Sequence, residues 1–344
     1  MPSTRPLHGQ VALVAGATRG AGRGIAIELA ATGAVVWCTG RSAGGNAATP
    51  GRPETLEQTV ELIRTGGGEA RAERCDHTDE AQVQALLERV RAESGRLDIL
   101  VNDVWGGDAL IDWTAKFWQI DSTAVRTLTE RAILSHWTTA KYAAPLMVEA
   151  GRGLIVEVTD GETPGYRGQW LYDFVKSSVI RLGYAMAWDF VGTGVTALTV
   201  TPGFLRSEHV LQHFGVTEAN WRDAIEKDPT FAESETPRFI GRGIAALAAD
   251  PHVASKSGLC LHACQLAHEY GLTDLDGRVP KFWAALDRWI DGQIANGVAP
   301  DAHERWIGRA RYGHIHLDPT YHDRALRYAE RYDLQDVGAG LKPA

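Results

Sequence analysis

The chain has 344 residues, is 44% hydrophobic and 23% charged, and carries a formal charge of −8. These proportions exclude disordered, collagen-like and coiled-coil readings, and the acidic balance argues against nucleic acid and anionic lipid as partners. With no apolar run of about 18 residues, no leader-like start and only four cysteines (Cys38, Cys75, Cys260, Cys264), a cytoplasmic protein without a membrane span or disulfide scaffold is expected.

Residues 11–15 form a short apolar run that ends on glycines, followed by helical spacing over 25–31 and a β-branched run over 34–38. This is a βαβ unit. Between its first strand and helix stands Gly16-Ala17-Thr18-Arg19-Gly20-Ala21-Gly22. The glycines permit a tight turn and let backbone N–H groups approach a pyrophosphate at the helix N-terminus. After the second strand, where an acid would meet the adenine ribose of NAD, the chain reads Cys38-Thr39-Gly40-Arg41. Arg41 and Arg19 suit a ribose 2′-phosphate instead, so NADP is the expected cofactor and NAD the alternative. Residues 42–53 make a Gly/Pro-rich loop. A helix over 54–65, a strand over 70–75 and a polar helix over 80–93 follow. Asp76 is placed to meet an adenine amino group or to cap the next helix beside Thr78.

Strands over 97–102, 154–159, 195–201 and 258–263 then alternate with helices over 123–150, 172–191 and 238–249. Seven short apolar strands alternating with helices imply a Rossmann-type α/β domain over residues 1–270. Its doubly wound, seven-stranded parallel sheet would carry helices on both faces. Residues 204–235 are a long insertion between a strand and a helix, and residues 271–344 are expected to form a helical C-terminal extension. Within the extension Phe282, Trp283, Leu286, Trp289 and Ile290 make an apolar helical stripe, for which a contact with a neighbouring subunit is the expected use.

Tyr172 and Lys176, four apart at the start of a helix, share one face. An ammonium beside a phenol favours phenolate, which suits a general acid/base. Thr159 ends the fifth strand, 13 residues earlier, where such sheets collect active-site groups.

The set Gly16/Gly20/Gly22, Asp76, Asn102, Thr159, Tyr172, Lys176 and Pro202-Gly203, in this order and spacing, resembles the short-chain dehydrogenase/reductase family over about residues 8–265. The segment 234–276 looks closer still to the dehydrogenase/reductase member 1 type. The resemblance implies that Tyr172 exchanges a proton with a carbonyl or alcohol while hydride moves to or from a nicotinamide. Lys176 would bind the nicotinamide ribose and depress the Tyr172 pKa, and Thr159 would hold the substrate oxygen. Asn102 would stabilise the sheet beside the cofactor. With Thr18, Arg19 and Arg41, the glycines, Asp76, Pro202 and Gly203 would complete the cofactor contacts. The family's pairing of long helices implies a homodimer or homotetramer.

The chain also departs from the family pattern. Thr159 stands where Ser is usual, with Asp160 as a rival for the position, and Ala15 replaces a usual Thr. The family's N-N-A-G is here Asn102-Asp103-Val104-Trp105, which brings a carboxylate and an indole near the nicotinamide. The helix asparagine that anchors a relay water falls at Ala132; a water on its carbonyl, or Ser135, would have to substitute. Eleven tryptophans are an unusual number. Trp113, Trp118 and Trp221 fall in the loops where substrate would lie, together with the pocket candidates Trp105, Tyr166, Trp170, Phe204 and Phe214. The lining suggests a bulky hydrophobic carbonyl or alcohol. Cys260, His262, Cys264 and His268, like His314, His316 and His322 beside Asp318 and Asp323, read as ordinary core and surface residues, and no metal is expected. Ala132 and the altered 102–105 segment keep open a cofactor-binding sensor or scaffold without dehydrogenase turnover. A lyase, epimerase or dehydratase on the same fold is a third reading.

Overall fold

The computed structural model describes residues 5–45, 48–161 and 167–296. Seven strands run parallel in the order β3-β2-β1-β4-β5-β6-β7. They are β1 (Val11–Ala15), β2 (Val35–Gly40), β3 (Glu69–Arg74), β4 (Ile99–Asn102), β5 (Gly153–Val158), β6 (Val195–Thr201) and β7 (Cys260–His262). The central strands are apolar on both faces because both faces are covered. In β1, Ala12 and Val14 pack with Ile25, Leu29, Val60, Phe239 and Ile240 on one side. Val11, Leu13 and Ala15 pack with Val83, Leu86, Val90, Ala143 and Met147 on the other. Edge strand β3 (EARAER) carries the charge that a strand covered on only one side tolerates.

Helices α1 (Gly20–Ala31), α2 (Leu56–Thr65), α8 (Pro237–Ala249) and α9 (Ala263–Tyr270) supply the first layer, and α3 (Glu80–Ser94), α5 (Ser135–Ala150) and α6 (Trp170–Asp189) the second. Local chemistry sets several ends. Thr55 and Gln58 form a capping box on α2, while Asp79 caps α3, which stops at Gly95 with φ +69. The expected helix over 123–150 is α4 (Ser122–Thr129) and α5 joined by a π-turn, Glu130–Leu134, which contains Ala132. The 204–235 insertion folds into the short helix α7 (Glu208–Phe214) and two 3₁₀ turns.

The last described helix, α10 (Phe282–Ala295), corrects one expectation. Phe282, Trp283 and Leu286 are buried with Phe204 and Trp289. This part of the stripe therefore covers the chain's own insertion, where a subunit contact was expected. The order of strands reverses between β1 and β4, which leaves a crevice at their C-terminal ends, the place where doubly wound sheets bind ligands.

Candidate active site

A cavity of about 670 Å³ fills that crevice, and its walls come from the loops after β1, β2, β3, β4, β5 and β6 together with α6 and α10. Gly16 turns with φ +94, and a Cβ there would lie 2.4 Å from the Asp103 carbonyl oxygen. A Cβ at Gly22 would lie 2.4 Å from the Gly16 carbonyl oxygen. Only glycine lets strand, turn and helix approach so closely, and that approach turns the α1 N-terminus into the cavity. This terminus already holds an anion, since the Gly20 N–H donates to Glu208 Oε2 at 2.8 Å. Thr18, Arg19, Gly20 and Arg41 all line the same wall. The Arg19 guanidinium donates to Thr49 Oγ1 at 3.2 Å and lies 3.9 Å from Glu54, with burial lowering its pKa. These donors and the cradle left by the glycines fit a dinucleotide whose phosphates lie between α1 and the arginines.

Asp76 also lines the cavity, but it does not cap α3. Its Oδ1 accepts from Thr78 N and Oγ1, and Asp79 is the cap. Pro202 and Gly203 border the far side, where Gly203 N–H donates to the buried Glu235 at 3.0 Å. Asn102 is absent from the described cavity wall and lies beneath it. Its Nδ2 donates to Glu157 Oε1 at 2.8 Å and to the His136 carbonyl at 3.3 Å. Glu157 Oε2 is 2.6 Å from His136 Nδ1, and His136 Nε2 is 3.0 Å from the Val104 carbonyl oxygen. Burial pulls the His136 pKa down, but the Glu157 charge and hydrogen bond with the Val104 carbonyl outweigh it and leave it raised. A buried, hydrogen-bonded platform thus props the Asp103–Trp105 loop from below.

At the reacting end, Gln169 caps α6 by accepting from Tyr172 N at 2.8 Å, which fixes the first turn where Tyr172 sits. The Tyr172 ring meets Trp105 edge-on at 5.7 Å and Trp113 at 5.1 Å. Its O–H donates to Asp160 Oδ2 at 2.7 Å. Lys176 Nζ stands 4.1 Å over the Trp105 ring. Burial and then the Asp160 carboxylate hold the phenol pKa well above its ordinary value. Lys176 itself is lowered by burial, against the opposing pull of Asp160, Asp103 and Asp108. Thr159 reaches the wall, but its hydroxyl donates to the Lys176 carbonyl at 2.8 Å.

Most of the expected site residues thus converge on one cavity, with Trp105, Phe204 and Phe214 among them. Trp170 does not. It stacks on Phe174 at 5.4 Å on the outer side of α6, because its position precedes Tyr172 by two and so faces away. Tyr166 and the tail histidines lie outside the described residues. Phe282 and Trp283 join the wall, although the helical stripe had suggested another use for them. His136, Glu157 and Gln169 carried no spacing signal, and only Asn102 hinted at the platform.

The family model for short-chain dehydrogenases matches residues 10–214. The chain is 35% identical over 286 residues to the mouse protein "Dehydrogenase/reductase SDR family member 1", covering 82% of this chain and 88% of the relative. Among solved structures it resembles a short-chain dehydrogenase/reductase from Burkholderia xenovorans, with 25% identity, a TM-score of 0.63 and coverage of 75% and 95%. It also resembles a 7α-hydroxysteroid dehydrogenase complexed with NADH and 7-oxo glycochenodeoxycholic acid, with 25% identity, a TM-score of 0.61 and coverage of 75% and 94%. With the glycine turn, the parallel sheet order and the Tyr172/Lys176 pair on one wall, these matches place the chain in the short-chain dehydrogenase/reductase family of NAD(P)-dependent oxidoreductases.

Proposed function

We propose that the protein is an NADP-dependent oxidoreductase that moves a hydride between the nicotinamide and a bulky hydrophobic carbonyl or alcohol, with Tyr172 as general acid/base. One observation carries this reading. A single cavity has the glycine turn and two arginines at one end and Tyr172, Lys176 and an aromatic wall at the other. The Gly16–Ala21 backbone would hold the pyrophosphate, Arg19 and Arg41 a ribose 2′-phosphate, Asp76 the adenine side and Lys176 the nicotinamide ribose. Bound there, the nicotinamide supplies the hydride donor or acceptor. Tyr172 exchanges a proton with the substrate oxygen, which Thr159 would hold. Trp105, Trp113, Phe204, Phe214 and Phe282 exclude water and favour an apolar substrate.

Half-exposed apolar residues on α5 and α6 (Trp137, Val148, Trp170, Phe174) support a homodimer or homotetramer built on these helices. Free thiols at all four cysteines suit a cytoplasmic setting, and among the described residues no helix is long and apolar enough to cross a membrane.

Fluorescence titration with NADPH and NADH tests the cofactor assignment. NADPH should bind more tightly, and Arg41→Asp should weaken it by about 10-fold or more while sparing NADH. Failure to bind either nucleotide would end the proposal. A sensor without turnover is excluded if the wild type oxidises or reduces members of an alcohol and ketone panel and Tyr172→Phe does not.

A further inference from the structure

Tyr172 has a partner that the Tyr–Lys pattern does not call for. Asp160 accepts the phenol O–H at 2.7 Å, and its carboxylate is half-buried on the cavity wall. The alternatives beside it are already engaged. The Thr159 hydroxyl proton goes to the Lys176 carbonyl at 2.8 Å, and the Lys176 ammonium lies over the Trp105 ring. Where a relay residue would come from the α4–α5 turn, position 132 is a buried alanine and Ser135 Oγ donates to the Arg131 carbonyl at 2.7 Å.

We propose that Asp160 is the proton partner of Tyr172. As an alcohol is oxidised, the substrate O–H proton passes to Tyr172 Oη while the phenol's own proton passes to Asp160 Oδ2, and carbonyl reduction runs the same path backwards. The proposal rests on the oxidoreductase reading above. The carbinol C–H bond breaks and its hydrogen leaves as hydride with two electrons, which reduce the nicotinamide. The substrate O–H bond also breaks, the C=O bond forms, and one proton is left on Asp160. Because Asp160 opens onto the cavity, that proton can be passed on to water. Burial and the Asp160 charge both keep the phenol protonated, which is the state such a relay requires. The titratable groups facing Asp160 are Tyr172, Lys176 and Asp173 on α6, and Arg167, Asp103 and Asp108 act in turn on Tyr172 or Lys176. Asp160 acts through Tyr172, so it is a positioning residue and proton acceptor rather than a group that must touch substrate.

The test has two arms, both on the full-length chain. In the first, tyrosine is labelled with ¹³C at Cζ and the Tyr172 resonance is identified by its loss in Tyr172→Phe. Asp160→Asn should lower the pH at which this resonance titrates, and Thr159→Val should leave it in place. In the second, 1-phenylethanol is oxidised with NADP⁺ and with NAD⁺ as a function of pH. Asp160→Asn should cut kcat by about 100-fold with little change in KM, and its kcat should climb with pH through an alkaline range where the wild type is level. Asp160→Glu should restore part of the rate, as a carboxylate at this position requires. A Tyr172 titration unmoved by Asp160→Asn, or a pH profile identical to wild type in an active Asp160→Asn variant, overturns the relay and leaves the oxidoreductase reading standing. A wild type inert towards alcohols and ketones with both nucleotides overturns that reading and the relay with it.

Discussion

Asp103 joins the glycine turn to the loop after β4, and its carboxylate accepts the Gly22 backbone N–H. Burial pushes its pKa up to about 7, against the pull of Lys176, His136 and that hydrogen bond. The folded value lies above the ordinary aspartate value of about 3.9, so the folded chain holds this proton more tightly than the unfolded one. The resulting stabilisation is complete below about pH 4 and is lost as the pH rises towards 7. Asp103→Asn keeps an acceptor for Gly22 and removes the charge. The melting temperature of the variant relative to wild type should therefore rise steadily between pH 4 and 7 and level off above; a constant difference across that range would refute the buried-charge account. Glu157 makes the opposite case. Its carboxylate lies 2.6 Å from His136 Nδ1, and both side chains are enclosed. Removing one partner strands the other, so Glu157→Ala should cost about 3–5 kcal/mol in a denaturant titration. A loss below about 1 kcal/mol would mean that the pair is not buried as described. Tyr172, Lys176 and the glycines were legible in the sequence because their chemistry fixes their spacing along the chain. The His136–Glu157–Asn102 platform was not, because it depends on the β4–β5 register that sets Asn102 opposite Glu157 across the sheet.

At the level of elements, the crossing of α1 and α8 depends on two glycines. A Cβ at Gly24 would lie 2.0 Å from the Pro237 carbonyl oxygen, and one at Gly241 would lie 2.6 Å from the Gly24 carbonyl oxygen. Helix propensity alone favours alanine at both sites by about 1 kcal/mol. Backbone contact reverses the sign, because a carbonyl held inside a helix cannot step aside as a side-chain tip can. Gly24→Ala should destabilise the protein by about 1–3 kcal/mol in chemical denaturation and weaken cofactor binding, since α1 carries the glycine turn. Stabilisation would show that the two helices stand further apart. The seven strands and the long helices could be read from apolar periodicity, because burial on both faces writes uninterrupted runs into the strands. Two helices could not. α7 spans only 7 residues, too few for Val210, Leu211 and Phe214 to repeat as a stripe. α9 begins at Ala263, directly after β7, so the apolar run at 258–263 looked like one longer strand. The π-turn at 130–134 was equally hidden, for a one-residue change in hydrogen bonding leaves a helical pattern almost intact.

For the whole molecule, the question is what closes the cavity once the sheet has formed its floor. The sheet ends and their loops provide the cofactor wall, but the substrate side is shut by pieces distant in sequence. Phe204 of the insertion meets Phe231 at 4.9 Å, Phe214 at 6.1 Å and Phe282 of α10 at 5.4 Å. Phe282 also covers Gly203, where a Cβ would lie 2.8 Å from its own. One ring therefore ties the C-terminal helix to both the insertion and the Pro202-Gly203 corner of the cofactor site. Phe282→Ala removes a nearly buried ring whose neighbours are held by the sheet and cannot collapse fully into the gap. It should cost about 3 kcal/mol in global stability. It should also open the substrate side to water, raising both the NADPH dissociation rate in stopped-flow fluorescence and the KM of any apolar substrate. Phe282→Leu, which keeps most of the volume, should recover most of the stability and of the slow dissociation. If Phe282→Ala loses stability while NADPH leaves at the wild-type rate, α10 braces the insertion without closing the site, and the aromatic wall would have to be read as packing alone.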